Sequence, residues 1–449
     1  MQGEVLEPSD AGYEDARRIH NAMHDRRPAL IAHCAGREDV RAAIDYARAR
    51  GLSLAVRGGG HHVAGYATCD GGLVVDLSPL KGISIDPKAR TVRAQSGLTW
   101  GELDRETQAF GLAVTGGRAS TTGIAGQTLG SGSGRLERKL GLGCDNLISA
   151  QVVTSDGSVL RVSEDENADL FWGLRGAGAN FGVVTELEFR LHPVGPVVLG
   201  GLLLYDGRRS AELLHLYRRL MEAAPDELGT EFVLATGPPE EFVPEELRGR
   251  PVAGIIVGYA GPVHEGLEAV RPLREEIAPA ADMVEPMPYT AVQQIVDQFD
   301  PPGRRAYWKS EALSELSDDA IDTWVAWGSQ MSSPFTSLVL EPKGRAIARV
   351  PDDAMAISGR GAPYFYYAFC IWEDPAEDDR HIEWTRAVSR AMEPYAVSGL
   401  PLNFTVDRGE DRIRSTFGED KYARLVALKD RYDPDNVFRN NANIRPSGG

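Results

Sequence analysis

Cysteine is scarce in this 449-residue chain: Cys34, Cys69, Cys144 and Cys370 lie far apart and form no C-x-x-C pair. Neither a zinc site nor a redox dithiol is indicated, and the four read as reduced thiols. The nine histidines show no H-E-x-x-H or other metal spacing. His61 and His62 are adjacent, and sequence neighbours cannot easily share one metal, so no metal is expected. Basic residues are in deficit: 48 Lys and Arg against 65 Asp and Glu leave a formal charge of −17. That charge repels phosphate backbones and anionic lipid, which makes nucleic acid and membrane surfaces poor partners. Long apolar runs are missing too, with nothing near the roughly 18 residues of a spanning helix. The start, MQGEVLEPSDAGYEDARRIH, has no basic segment followed by an apolar one, so the cytoplasm is the expected location.

What the chain does have is length for two or more domains and the apolar content of a globular protein. Glycine is unevenly spread: 19 of the 49 fall between Arg57 and Gly143, over twice the density elsewhere. The helical pattern Arg37 to Arg50 precedes a short strand over Leu52 to Val56, and then RGGGHH turns the chain. Ile83 to Ile85 and Thr91 to Ala94 alternate as strands meeting at Asp86-Pro87, and a helix from Trp100 stops at Gly111. NLISAQVVTSDGSVLRVS is a hairpin about Asp156-Gly157, and the strand Val183 to Leu191 follows a short helix. From Val197, strands (VVLGGLLLY, PVAGIIVGY, SLVLEP, YFYYAFCIW) alternate with helices near 209–224, 265–277, 318–331 and 379–392, which is an α+β pattern.

Gly58-Gly59-Gly60 after a strand lets backbone N–H groups converge on an anion without interference from a Cβ. It is neither a G-x-x-x-x-G-K-[ST] loop nor G-x-G-x-x-G opening a long helix, so ATP and nicotinamide nucleotides lose weight. The segments RGGGHHVAGYATCDGGLVVDLSPL, TTGIAGQTLGSGSG and RKLGLGCDNLISAQVVTSDGSVLRVSEDENADLFWGLRGAGANFGVVTELEFRL, with the ending YARLVALKDRYDPDNVFRNNANIRP, carry more. Together, from Arg37 to Pro446, they resemble the vanillyl-alcohol-oxidase (PCMH-type) flavoproteins, specifically the berberine-bridge-like FAD-linked oxidases of bacterial mono-covalent type.

That resemblance implies a bipartite PCMH-type FAD-binding domain in residues 1–196, completed by a C-terminal segment, 406–449. Between them it implies an α+β substrate-binding domain with an antiparallel sheet, 197–405. It implies FAD held by Arg57, Gly58, Gly59, Gly60, His61, His62, Gly65, Thr115, Gly116, Thr122, Gly123, Gly126, Gln127, Gly130, Gly132, Val183, Asn403, Asn441 and Asn443, with an 8α bond from His61. Some relatives add a second bond through a cysteine. The matching residue here is Ala119, so one bond is expected, and Cys144 reads as a buried bystander.

Flavin oxidation usually needs a base for the proton of the substrate hydroxyl or amine. Relatives often supply a tyrosine in Y-x-N, but the matching residues are Pro401-Leu402-Asn403, and Pro401 cannot accept a proton. Period two puts Tyr364 and Tyr366 on one face of their strand and Tyr367 on the other. The expected base or orienting phenol is Tyr366 or Tyr307, with Lys309 as electrostatic support.

The resemblance implies an oxidase acting on a CH–OH or CH–NH group of a small organic substrate. Oxygen is the expected acceptor and hydrogen peroxide the product, as in relatives that tailor secondary metabolites. The alternatives are a dehydrogenase or oxidative cyclase with another acceptor, or a flavin-binding protein without turnover. Substrate identity and oligomeric state are left open.

Overall fold

The computed structural model describes residues 1–397, 402–404, 406 and 409–448. The first part of the chain builds two small sheets and a two-stranded ribbon, Leu112–Ala113 against His192–Pro193. In one sheet, Leu30–His33, Leu73–Asp76 and Leu54–Arg57 run parallel, with Val5–Leu6 antiparallel on the edge. Its strands read as near-continuous apolar runs because parallel strands are covered on both faces. The helix Arg37–Arg50 packs Val40, Ala43, Ile44 and Ala47 inward and ends at Gly51 with φ +64°. The strand expected from Leu52 begins at Leu54, because the Leu52 N–H still closes the helix by bonding the Ala47 carbonyl at 2.9 Å.

The second sheet is antiparallel, in the order Ile83–Asp86, Thr91–Gln95, Val183–Arg190, Leu147–Val153, Val159–Ser163. Helix Trp100–Gln108 opens on a Thr99–Glu102 capping box, which satisfies two otherwise orphan N–H groups. Its Asp104 is fully buried, and Gln293 from the later part of the chain offers its carboxyl a single long bond of 3.3 Å. Burial pushes that carboxyl up to about 7. A raised carboxyl pKa favours the fold at low pH, and this advantage is lost between the unfolded value and about 7. Asp104→Asn is therefore expected to stabilise the protein more at pH 8 than at pH 5, by roughly 2–3 kcal/mol, read from denaturant unfolding at both pH values.

The later part of the chain forms a nine-stranded antiparallel sheet among the described residues. Its spatial order is Ala281–Asp282, Val197–Asp206, Pro251–Tyr259, Leu228–Thr236, Ser337–Pro342, Tyr364–Trp372, Arg305–Leu313, Ala396–Val397, with Glu285–Pro288 also on Val197–Asp206. Leu228–Thr236, which the sequence reading passes over, is a central strand. Helices Ser210–Ala223, Val263–Glu275, Asp318–Gly328 and Asp378–Met392 cover one face over a core that includes Leu203, Phe232, Trp324, Leu338 and Tyr366. The other face looks across a cavity at the first part of the chain.

The tail closes that cavity from behind. Helix Glu419–Tyr432 ends at Asp433, a wholly buried carboxylate that accepts from the N–H groups of Val437 (2.7 Å) and Phe438 (2.9 Å). Lys429 pairs with it at 2.7 Å and also donates to the carbonyls of Asn180 (2.8 Å) and Phe438 (3.0 Å). These bonds fix where Asn440 and Asn441 emerge. Among the described residues no helix is long and apolar enough to cross a membrane.

Candidate active site

The cavity, about 830 Å³, lies between the two parts of the chain. One wall is backbone-rich. Gly58, Gly59 and Gly60 follow the strand Leu54–Arg57, and Gly123 and Gly126 come from the second glycine segment. A Cβ on Gly59 would stand 2.3 Å from the Gly123 nitrogen, so the two loops touch backbone to backbone. A Cβ on Gly126 would meet nothing within 4 Å, so this position opens on the cavity. Arg57 does not line it. Arg57 instead pairs with buried Asp76 at 2.7 Å and donates to the Ala16 carbonyl, which holds the base of the loop.

His61 faces the cavity from the same wall, its ring stacked on His20 with centroids 4.1 Å apart and its Nδ1 3.4 Å from the Thr122 hydroxyl. Burial, with the neighbouring His20 second, pushes its pKa down to about 3, so the imidazole is neutral. His62 also lines the cavity, its ring tilted on Tyr66. Of the other residues expected at the cofactor, Gln127, Gly130, Thr122, Asn403 and Asn441 line the cavity. Asn403 donates to the Gln127 carbonyl at 2.7 Å and seats against Gly130, where a Cβ would lie 1.8 Å from its Oδ1. Pro401 lies outside the described residues.

Other expected cofactor contacts do not reach the cavity. Gly65 is a glycine because the His24 ring lies against it, Gly116 because Trp100 does, and Gly132 because Gly143 does. Thr115 bonds the Gly141 carbonyl at 2.7 Å, Val183 packs in the core of the parallel sheet, and Asn443 does not line the cavity. Ala119 lines the cavity, whereas Cys144 is buried with its Sγ 3.6 Å from the Met355 sulfur.

The opposite wall is the open face of the large sheet, and its chemistry differs from the expectation. Tyr366 is wholly buried on the helix-covered face, its ring 5.1 Å from that of Trp324, so it cannot meet a ligand in the cavity. Tyr307 and Lys309 alternate with the cavity-lining Trp308 and share that outer face, where Arg386 stands over the Tyr307 ring at 5.7 Å. The phenol that this wall presents to the cavity is Tyr367, one residue along, and it donates to Glu341 Oε2 at 2.9 Å.

Glu341 and Tyr367 belong to a buried ionic cluster. Arg118 Nε lies 2.7 Å from Glu341 Oε1 and 3.3 Å from Glu231 Oε1, close charge contacts without hydrogen-bond alignment. Arg135 approaches Glu231 at 3.0 Å, and Lys343 reaches both Glu137 and Glu341 at 2.7 Å. Burial would raise Glu137, but Lys343 and Arg118 hold it below the ordinary carboxylate range. Burial wins at Glu341, which is raised despite Arg118 and Lys343, and it raises Tyr367 as well. Arg118, Ser133, Glu231, Glu341 and Tyr367 all line the cavity. The sequence held one signal of this cluster: Glu341 interrupts the apolar alternation of SLVLEP on the side opposite Leu338 and Leu340.

The glycine wall fits a dinucleotide. Backbone approaches the space with little side-chain obstruction, and Gln127 Oε1 and Asn441 Oδ1 are buried there with no protein hydrogen-bond partner. Neutral His61 lines the same cavity. Such a cradle facing a buried acid–phenol pair is the cavity of a nucleotide-cofactor enzyme. Residues 28–163 match the family model for the FAD binding domain, and residues 402–445 that for berberine and berberine-like proteins. The (R)-6-hydroxynicotine oxidase of Paenarthrobacter nicotinovorans is 32% identical, over 100% of this chain and 98% of its own. An FAD-linked oxidoreductase of Dictyostelium discoideum is also 32% identical, over 93% and 89%. The crystal structure of 6-hydroxy-D-nicotine oxidase from Arthrobacter nicotinovorans superposes with a TM-score of 0.89 at 29% identity, covering 100% of this chain and 98% of that one. The chain belongs to the berberine-bridge-like FAD-linked oxidoreductases. It is an oxidoreductase with FAD as cofactor and a PCMH-type α+β fold.

Proposed function

We propose that the protein is an FAD-dependent oxidase that dehydrogenates a CH–OH or CH–NH carbon of a small organic molecule, with oxygen as acceptor and hydrogen peroxide as product. The observation that carries this reading is the buried Tyr367–Glu341 pair facing the glycine wall and His61 across one cavity. Hydroxynicotine oxidation by the bacterial relative named above supports an amine or alcohol substrate.

FAD, when bound, supplies a two-electron acceptor. The chain's own residues handle the proton. Tyr367 gives its O–H to Glu341, which leaves its oxygen lone pairs to accept the proton of a substrate hydroxyl or amine. As that proton arrives, the phenol proton passes to Glu341, so substrate loses a proton and the carboxylate gains one. Arg118 and Lys343 compensate the carboxylate before transfer, and burial favours the carboxyl after it. Gly58 to Gly60, Gly123, Gly126, Gln127 and Asn441 would hold the cofactor, and His61, uncharged and beside the cavity, is the proposed point of covalent attachment.

The test is anaerobic mixing of holoenzyme with panels of amines, alcohols, sugars and phenols, followed by admission of air. Flavin bleaching, and then oxygen uptake with one peroxide per substrate, is the expected result. A flavin that bleaches but stays reduced in air would assign another acceptor, and one that never bleaches would reject turnover.

A further inference from the structure

The cavity extends beyond the cofactor wall and the Tyr367–Glu341 pair. On the open face of the large sheet, one transverse row of directly paired residues runs Tyr367, Val339, Val233, Gly254, Leu204 across five strands. All five line the cavity. Four interstrand steps of about 4.8 Å carry this row roughly 19 Å away from the phenol. Beside it, Ala235, Ile256 and Leu202 also line the cavity, as every-second-residue alternation demands.

The row ends under a fixed roof. The loop of residues 237–250 folds back on itself through the Gly237 N–H to the Arg250 carbonyl and the Gly249 N–H to the Gly237 carbonyl, both 2.8 Å. Val243 and Leu247 from this loop pack on Leu204 and Val252, and Phe242 turns into the cavity. Leu202, Val233, Ala235 and Phe242 are only half-buried although they face inward, while helices seal the other side of the same sheet. Gly254 deepens the middle of the row: a Cβ there would meet Leu202 Cδ1 at 3.0 Å and otherwise only atoms near 4 Å. An enclosed apolar strip, continuous with a reactive pair and only partly covered by protein, is a ligand surface.

We propose that this strip is a trough for an elongated apolar tail, so that the substrates are amphipathic molecules: a CH–OH or CH–NH head at Tyr367 and an alkyl or isoprenoid chain lying along Val233, Gly254 and Leu204. This rests on the oxidase reading of the same cavity. The residues that fit the cofactor stand on the facing wall of the same cavity.

The probes are n-alkylamines and n-alkanols from butyl to dodecyl. Their binding to holoenzyme is measured by calorimetry and their oxidation by anaerobic flavin reduction. In the parent protein, Kd is expected to fall about threefold to fourfold per methylene, the value of burying one CH₂, and to level off when the trough is full. Gly254→Phe and Ala235→Phe, on neighbouring strands, should each flatten that dependence beyond the shortest chains, and either one that folds and loads flavin suffices. A parent affinity indifferent to chain length, or a slope that survives in a folded variant, overturns the trough. Binding with the expected slope but no flavin reduction by any head group would sustain the trough and reject the oxidase reading. Peroxide-yielding oxidation of short substrates with no slope would do the reverse.

Discussion

In Glu341→Gln, anaerobic reduction of the flavin by a good substrate is expected to slow by about two to four orders of magnitude, the scale of losing a positioned acid or base. Tyr367→Phe should slow it comparably, because the amide or the missing hydroxyl breaks the same two-part proton path. The pH profile separates this role from a packing defect. Burial raises the Glu341 carboxyl, so in the parent the rate should climb with pH through a limb above the ordinary carboxylate range. That limb should vanish in Glu341→Gln while flavin loading persists. Tyr366→Phe, in the core against Trp324, keeps the ring packing and should leave the reduction rate within a few-fold of the parent. Parent-like rates in both Glu341→Gln and Tyr367→Phe would show that proton removal does not pass through this pair.

Gly59→Val is expected to abolish flavin incorporation altogether. Its Cβ would stand 2.3 Å from the Gly123 nitrogen and 2.8 Å from the Gly123 Cα, and neither backbone can retreat without opening the wall that both loops form. The readout is the flavin-to-protein absorbance ratio of purified protein, and a normal ratio would remove the cradle from the account. In the same experiment, parent protein precipitated with acid should stay yellow, and His61→Ala should release whatever FAD it binds into the supernatant. A colourless parent pellet would refute covalent attachment. Cys144→Ala should not change the colour, since its thiol lies buried against Met355.

Much of this arrangement was legible in the chain because the signals were local. Glycine runs after a strand, the Asp156-Gly157 turn and the helix from Arg37 to Arg50 need no knowledge of distant neighbours. Period two correctly separated Tyr366 from Tyr367, but alternation cannot say which face meets helices and which meets a cavity. The partner that decides it, Glu341, is 26 residues away on another strand. Leu228–Thr236 escaped notice for a related reason: Glu231 breaks its apolar run, and that carboxylate is tolerable only beside Arg118 and Arg135. Gly65, Gly116 and Gly132 look like Gly59 in a sequence. They are small because a ring or a backbone leans on them, which only the fold reveals.

The tail has a consequence for how the enzyme takes up its cofactor. Asn440 donates to the carbonyl of Tyr66 across 374 positions of chain, and Phe438, Asn440, Asn441 and Ala442 form part of the wall that the early glycines begin. The two parts of one pocket therefore come from segments far apart in the chain. Until the Lys429–Asp433 lock has docked, the cofactor meets an incomplete site, so flavin capture waits on the docking of this segment.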